Sequence, residues 1–564
     1  MEMKRKLRAI IAVILAVLTA ASLMTTAVAG FFSDELPIVY VLGKVDVIYE
    51  DKDGRSDDQN NKVIYPVSLD DLEVQECLEK IMPAYGDAFA KEYGIISATE
   101  QEKLDAWENY GMELYGLIGD IWDDIAMNEN GEPRDNSGII WDWNKNYRDR
   151  ADGLITQEEY KANLKTILKD TVDPYGGYDL YDYTFHYDWR RDMFYTADQL
   201  NEYINNVLEV TGKKKCVLIS RCYGCNVVAG YFDKYGTDKV ETNIIYCSTA
   251  AGSIVTGEMF SGKFKLSPEG IANYLDGFLF GEGNNLIGSI IAQSVKLGPE
   301  SFEAFSAIVN KIYSRISNTM MPKALITSFA SMPGYWSMVS DNYYNQAKDF
   351  IFGDEANTTY RKLVEKIDYY HYSVTNNAGK IFSDMKENGT NYANIVKYGS
   401  NLAPMVEDCD LIADGIVEVP SASLGATSGR NGETFSNEYL KAAEKNDTLK
   451  YISPDFTIDA STCLYPDYTW FAEGVDHFDF PKSVDKLLMT IARHDGQMTV
   501  WDDINFPQYS KYEGEGNLLT WAGGLYLENS RDETAGTMKY FINLFKSISA
   551  IIKRLFNYAS IITG

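Results

Sequence analysis

The sequence predicts an α/β fold, a mostly parallel sheet with helices on both faces, and three observations carry that expectation. Apolar runs at residues 36–42 and 216–219 have the composition of strands buried on both sides, and residues 242–249, with Ile244, Ile245 and Tyr246 at their centre, read as another strand. Segments of helical period separate such runs, among them residues 196–209 and the stretch after Gly224. Between the second run and its helix stands Ser220-Arg221-Cys222-Tyr223-Gly224, and that helix carries Val227, Val228, Tyr231 and Phe232 on one face. This is the strand, sharp turn, helix layout of a nucleophile elbow, in which a strained turn holds one side chain out over the sheet.

Taken in chain order, residues 1–29 have the features of a secretory signal. Lys4, Arg5, Lys6 and Arg8 precede an apolar run, and Ala27-Val28-Ala29 offers small residues for cleavage. The main domain is expected over residues 30–535, outside the cell or on the outer face of its membrane. After the run at 36–42, the polar turn at 50–55 reads as a hairpin tip. Residues 72–163 are polar and helical, an insertion. Within it, residues 152–159 resemble half of a calcium-binding loop, but Arg148 and Arg150 stand where acidic oxygens are needed, and a helix capped by Thr156 with Glu159 three residues on accounts for them. Residues 183–192 end a strand and begin the helix near 196–209. Residues 252–391 are mainly amphipathic helix, the size of a cap over a site between sheet elements. At the C-terminus, residues 537–564 are expected to form a basic amphipathic helix. Lys539, Lys546 and Lys553 recur every seven residues beside Phe541, Leu544, Ile548 and Leu555, so that 539–562 suits either a membrane surface or the protein's own acidic body.

The chain carries 82 acidic against 52 basic residues, a net charge of −30, which argues against nucleic acid or any other polyanion as a partner. Seven cysteines leave at least one thiol unpaired within a monomer. Cys216 and Cys247 lie in apolar runs and read as small core residues.

A nucleophile needs a base, and the base an orienting acid. With four histidines the search is short. In a fold with such an elbow the chain order is nucleophile, acid, histidine, which selects His477, with His494 in reserve. The acid should lie between, and Asp414 follows an apolar segment with Gly415 permitting a tight turn; Asp408 and Asp410 compete with it. No metal or cofactor is called for by these residues.

With Cys222, Asp414 and His477 in place, the chain resembles the lecithin–cholesterol acyltransferase-like esterases and lipases of the α/β-hydrolase superfamily. The matching pieces are Phe-His-Tyr-Asp-Trp-Arg at 185–190, the elbow at 220–225, Asp-Gly-x-Val with a Ser-x-x-Leu segment at 414–424, and Pro-Asp-Tyr-Thr-Trp at 466–470 leading to His477. Together they span residues 37 to 480. The resemblance implies an α/β-hydrolase fold and an acyl-ester or lipid substrate, taken through an acyl-enzyme by hydrolysis or acyl transfer. It further implies an oxyanion hole built from the Tyr223 N–H and the loop after Gly43, at Lys44 or Val45. The departure lies at the elbow, where the family's Gly-His-Ser-x-Gly-Gly becomes Ser220-Arg221-Cys222-Tyr223-Gly224-Cys225. A thiol at a helix N-terminus beside a histidine can ionise well below about 8.5 and act as a thiolate, giving a thioester intermediate. Two alternatives stand beside this reading. One is an inactive hydrolase fold that binds lipid or a partner at the cell surface. The other is a Cys-x-x-Cys thiol–disulfide oxidoreductase using Cys222 and Cys225.

Overall fold

The structure, a computed structural model, describes residues 36–41, 43, 47–54, 61–65, 74–140, 183–267, 321–477, 481–512 and 518–520, with scattered positions between 306 and 320. The expected signal segment, residues 152–159, Lys44, Val45 and the C-terminal helix lie outside the described residues.

The chain forms an α/β fold around one eight-stranded sheet. Its strands are β1 (Ile38–Val41), β2 (Tyr183–Phe185), β3 (Cys216–Arg221), β4 (Val240–Tyr246), β5 (Asn391–Tyr398), β6 (Thr469–Glu473), β7 (Tyr509–Tyr512) and β8 (Leu518–Thr520). Their spatial order is β2-β1-β3-β4-β5-β6-β7-β8. The first seven run parallel, and β8 closes the edge antiparallel to β7. The runs read from sequence become β1, β3 and β4: β1 is shorter than its run, β3 extends two residues past it, and β4 begins and ends earlier. Side chains alternate across the sheet. Val39, Val41 and Leu218 enter one core, while Ile38, Tyr40, Val217 and Ile219 enter another.

Two layers of helices cover those cores. Helices α1 (Val74–Glu92) and α2 (Glu100–Trp122) pack on one another in the inserted region. On one face of the sheet lie α3 (Met193–Thr211) and α4 (Gly224–Tyr235). Between β4 and β5 come α5 (Ile254–Phe260), α6 (Asp341–Phe352), α7 (Arg361–Ser373) and α8 (Ala378–Glu387), in a region whose described part is helical. On the opposite face α9 (Lys482–Arg493) lays Val484, Leu487, Leu488 and Ile491 against Ile244, Ile395 and Trp470.

The Asp-Trp-Arg segment at 188–190 is a structural joint. Arg190 is fully buried and forks onto the Asp188 carboxylate at 2.8 and 2.9 Å. It also donates to the carbonyls of Ile125 and Ser137, each at 3.2 Å, fastening the inserted region to the end of β2.

From β1 the chain steps outward to β2 and then back across β1 to β3. Successive connections therefore diverge between β1 and β3, and ligands of open parallel sheets bind beyond the carboxyl ends of the strands at such a point. Cys222 is the first residue beyond the carboxyl end of β3.

Candidate active site

Cys222 sits between β3 and α4 with φ +48, a left-handed conformation that side chains rarely adopt. The strain is held from both sides. The Cys222 N–H donates to the Tyr246 carbonyl at 2.9 Å, and the Cys222 carbonyl accepts from the Cys225 N–H at 3.0 Å as the helix begins. Gly43, after β1, lies against it: a Cβ there would stand 3.4 Å from the Cys222 Cβ. The sharp turn expected from Ser-Arg-Cys-Tyr-Gly is therefore present, and it aims a half-buried thiol past the end of the sheet.

His477 and Asp414 meet that thiol. The His477 Nε2 is 3.1 Å from Cys222 Sγ, and its Nδ1 is 2.7 Å from Asp414 Oδ2. The other Asp414 oxygen accepts the N–H groups of Ile416 (3.1 Å) and Val417 (2.8 Å), a tight turn made possible by Gly415 at φ +97. With its second oxygen so occupied, the carboxylate can take a ring proton only through Oδ2. That fixes the tautomer, Nδ1–H toward Asp414 and Nε2 toward sulfur.

The electrostatics follow from burial and charge. Burial opposes ionisation of Cys222, but the His477 ring, its hydrogen bond, the Arg221 guanidinium and the Tyr223 N–H outweigh it and hold the thiol below its ordinary value. Burial likewise opposes protonation of His477, yet Asp414, Cys222 and Cys247 raise it well above the usual imidazole range. Asp414 is held below the carboxylate range against its own burial by the His477 ring and, further off, Lys397. The three groups thus favour thiolate, imidazolium and carboxylate together.

The remaining candidates separate cleanly. His494 is exposed and turned to the Gly496 carbonyl. His371 stacks on Tyr344 at 3.5 Å within the α6–α7 pair, and His186 is buried at the end of β2. Asp408 and Asp410 both pair with Arg430. Cys225 points inward beneath the elbow, 3.4 Å from Ser220 Oγ, and burial pushes its thiol up to about 12, so it is poorly suited to exchange with Cys222. The Tyr223 N–H hydrogen-bonds Cys222 Sγ.

Two features escaped the sequence reading. Cys247 is buried in the core as expected. Its sulfur also lies within 4.8 Å of donor atoms of both Asp414 and His477, in the one such group of three among the described residues. Arg221↔Tyr246 is the last paired rung of β3 and β4, so Cys222 and Cys247 come next at the same level. That adjacency was available from the two strand ends once their register was known. A metal on Cys247, Asp414 and His477 would have to displace the proton shared by Nδ1 and Oδ2, so the group reads as a relay with a neighbouring thiol. Cys247 itself has no exposed surface, whereas Cys222 is partly open and touches the imidazole directly.

The second unforeseen feature is the seating of the helical region between β4 and β5 on the elbow. Gly334 lies so close to the Tyr223 hydroxyl and the Trp189 carbonyl that any Cβ would overlap both. The Tyr223 hydroxyl donates to that same carbonyl at 2.7 Å. Asn226 of α4 donates to the Ser337 carbonyl at 2.9 Å and accepts from Thr249 at 2.8 Å. The turn Pro333–Trp336 is thereby locked onto the elbow.

No protein-family model matches the chain, and no curated protein matches it. Among solved structures it is similar to one described as the crystal structure of the Tle4-Tli4 complex, at 11% identity and a TM-score of 0.22. The match covers 65% of this chain and 75% of that one, a likeness too slight to support any argument.

Proposed function

We propose that this chain is an α/β-hydrolase that cleaves or transfers acyl esters through Cys222, with His477 as proton carrier and Asp414 as its orienting acid. The observation that carries the reading is the unbroken contact from Cys222 Sγ to His477 Nε2 and from Nδ1 to Asp414 Oδ2, with the thiol on a strained turn at a helix N-terminus.

In this reading the thiolate attacks the ester carbonyl carbon, a C–S bond forms, and the carbonyl π electrons move onto oxygen. The oxyanion is met by the Tyr223 N–H and by a donor after Gly43, at Lys44 or Val45. As the C–O bond breaks, the imidazolium gives its Nε2 proton to the departing alkoxide. Water or an alcohol then loses a proton to Nε2 and attacks the thioester, and Cys222 leaves as thiolate. Asp414 keeps the ring oriented and stabilises its positive charge throughout. A lipid acyl chain as substrate, export of the chain, and contact of 539–562 with a membrane surface extend the proposal on the strength of the family resemblance, the apolar first segment and the basic C-terminal pattern.

The test is hydrolysis of a short-chain and a long-chain p-nitrophenyl ester under reducing conditions, beside Cys222→Ala and Cys225→Ala. Turnover lost in Cys222→Ala and kept in Cys225→Ala supports the proposal, and a preference for the long chain supports lipid. A folded protein that turns over neither ester, with no acyl group captured on Cys222, refutes it in favour of a binding role.

A further inference from the structure

Two buried cations converge on the backbone of His477. Arg221, 2% exposed at the end of β3, donates from Nη2 to the His477 carbonyl at 2.8 Å. Lys397, 0% exposed on β5, donates from Nζ to the same carbonyl and to that of Asp476, both at 3.0 Å. A carbonyl is neutral, and two buried cations gathered on one oxygen need anions nearby to offset their loss of hydration. The relay supplies two of those anions: Arg221 adjoins Cys222 in sequence and faces its sulfur electrostatically, and Lys397 faces the Asp414 carboxylate.

We propose that Arg221 and Lys397 are positioning residues of the Cys222–His477–Asp414 relay: they clamp the His477 main chain from two strands and supply the positive charge that lets thiolate and carboxylate persist together on either side of one imidazole. This rests on the proposed catalytic role of Cys222 and accounts for a departure seen in the elbow. Where the family resemblance places a histidine, this chain has an arginine directly before a cysteine. A serine nucleophile remains neutral until it reacts, whereas a cysteine paired with imidazolium rests as an anion and needs a standing countercharge.

Other groups surround the two cations. Tyr40 of β1 hydrogen-bonds Arg221, the Tyr246 ring lies 4.7 Å from Lys397 Nζ, and Cys247 faces His477. Asp476, beside His477, is engaged by Ser400. From α9, Asp485 faces both cations, and its burial pushes its carboxyl up to about 6. Asp485 thus shares both cations with the relay, and its negative charge opposes their effect on Cys222.

The experiment is the pH dependence of iodoacetamide alkylation at Cys222, read by peptide mass spectrometry on the full chain, in wild type, Arg221→Gln, Arg221→Lys, Lys397→Met and Asp485→Asn. Circular dichroism and melting report on the fold. Arg221→Gln and Lys397→Met are expected to move the alkylation midpoint upward, slowing labelling on the acid limb about tenfold for every pH unit the midpoint moves, with Arg221→Lys recovering part of it. Asp485→Asn should move the midpoint downward, an opposite change that loss of packing alone would not give. Folded Arg221→Gln and Lys397→Met with the wild-type midpoint overturn the proposal. Should those two fail to fold, an unmoved midpoint in Asp485→Asn overturns it. The readout needs no substrate, so a chain whose midpoint moves in these directions but which hydrolyses no ester would separate failure of the catalytic reading from failure of this one.

Discussion

His477 and Asp414 are joined twice: the His477 main-chain N–H donates to the Asp414 carbonyl at 2.7 Å, and the His477 ring meets the Asp414 carboxylate, also at 2.7 Å. Backbone and side chain are therefore in register across 63 residues of sequence. Asp414→Asn keeps the backbone link but offers an amide in place of the charged acceptor. Ester turnover should fall by about 10²–10⁴-fold with the fold retained, the cost of a misoriented and less basic imidazole. Steady-state kinetics beside a urea melt make the check; an Asp414→Asn protein within a factor of a few of wild type would remove Asp414 from the mechanism.

Identity of the reactive thiol is a separate matter, because Cys222 and Cys247 both lie near the imidazole. Partial exposure and the 3.1 Å contact favour Cys222. Substoichiometric iodoacetamide near neutral pH should label Cys222 and leave Cys247 unmodified. Cys222→Ala should reduce ester turnover at least ~10³-fold, as removal of a nucleophile does. Cys247→Ala should still label at Cys222. Labelling of Cys247 in preference to Cys222 would reverse the assignment.

The pH profile of kcat/KM depends on two opposed displacements. Cys222 is lowered and His477 raised, so the ion pair forms above the first midpoint and survives up to the second. Activity should rise on the acid limb as the pair forms and fall on the alkaline limb as the imidazolium loses its proton, with a plateau between the two midpoints. The midpoints belong to the pair rather than to either residue. Replacing His477 with Gln should abolish the plateau and return thiol alkylation to an ordinary or higher midpoint. A wild-type rate that keeps climbing through pH 8–9, like that of an unassisted thiol, would contradict the ion pair.

Much of this site could be read in the chain because its signals are local. Ser-Arg-Cys-Tyr-Gly between an apolar run and an amphipathic helix specifies a turn within a few residues, and Asp414-Gly415 specifies another. Strand β5 is hidden by its own buried polar residues, one of which, Lys397, contacts the His477 main chain. Asn394 and Lys397 are fully buried within Asn391–Tyr398, and their polarity interrupts the apolar pattern by which a central strand is recognised. At the far edge, β7 reads Tyr-Ser-Lys-Tyr and β8 is three residues long, too polar and too short to stand out. Relations across strands, such as Cys222 beside Cys247 or two cations on one carbonyl, depend on register, which local composition does not encode.

Gly334 offers a test of how firmly the turn Pro333–Trp336 is seated on the elbow. A methyl group at this position would collide with the Tyr223 hydroxyl and the Trp189 carbonyl, which are themselves hydrogen-bonded. Gly334→Ala should destabilise the protein by about 1–3 kcal/mol, the usual cost of overpacking, and should change the rate of Cys222 alkylation because Tyr223 adjoins the thiol. Urea unfolding and labelling kinetics report the two effects separately. A variant with wild-type stability and labelling would show that the turn Pro333–Trp336 yields freely.

Glu418 links the turn after Asp414 to the start of α5 in a way that depends on pH. It is 1% exposed, accepts the Ile254 N–H at the start of α5 at 3.2 and 3.3 Å, and also engages the Ser421 hydroxyl. Burial, opposed by those hydrogen bonds and assisted by the Asp414 charge, pushes its carboxyl up to about 7 from the ordinary 4.5. A folded-state pKa raised in an acid means that the native protein binds the proton more tightly than the unfolded chain. Stability contributed by Glu418 is therefore full below about 4.5 and declines as pH rises toward 7. At ~1.4 kcal/mol per pH unit the decline is on the order of 2–3 kcal/mol between about pH 5 and 8. Asp485, raised to about 6, adds a loss of the same sign. Glu418→Gln preserves an acceptor for Ile254 without a charge to bury, so its advantage over wild type in urea unfolding should be small at pH 5 and grow by that amount at pH 8. An advantage that stays constant with pH would mean that Glu418 does not titrate in this range, and the link between α5 and the turn after Asp414 would then be insensitive to protons.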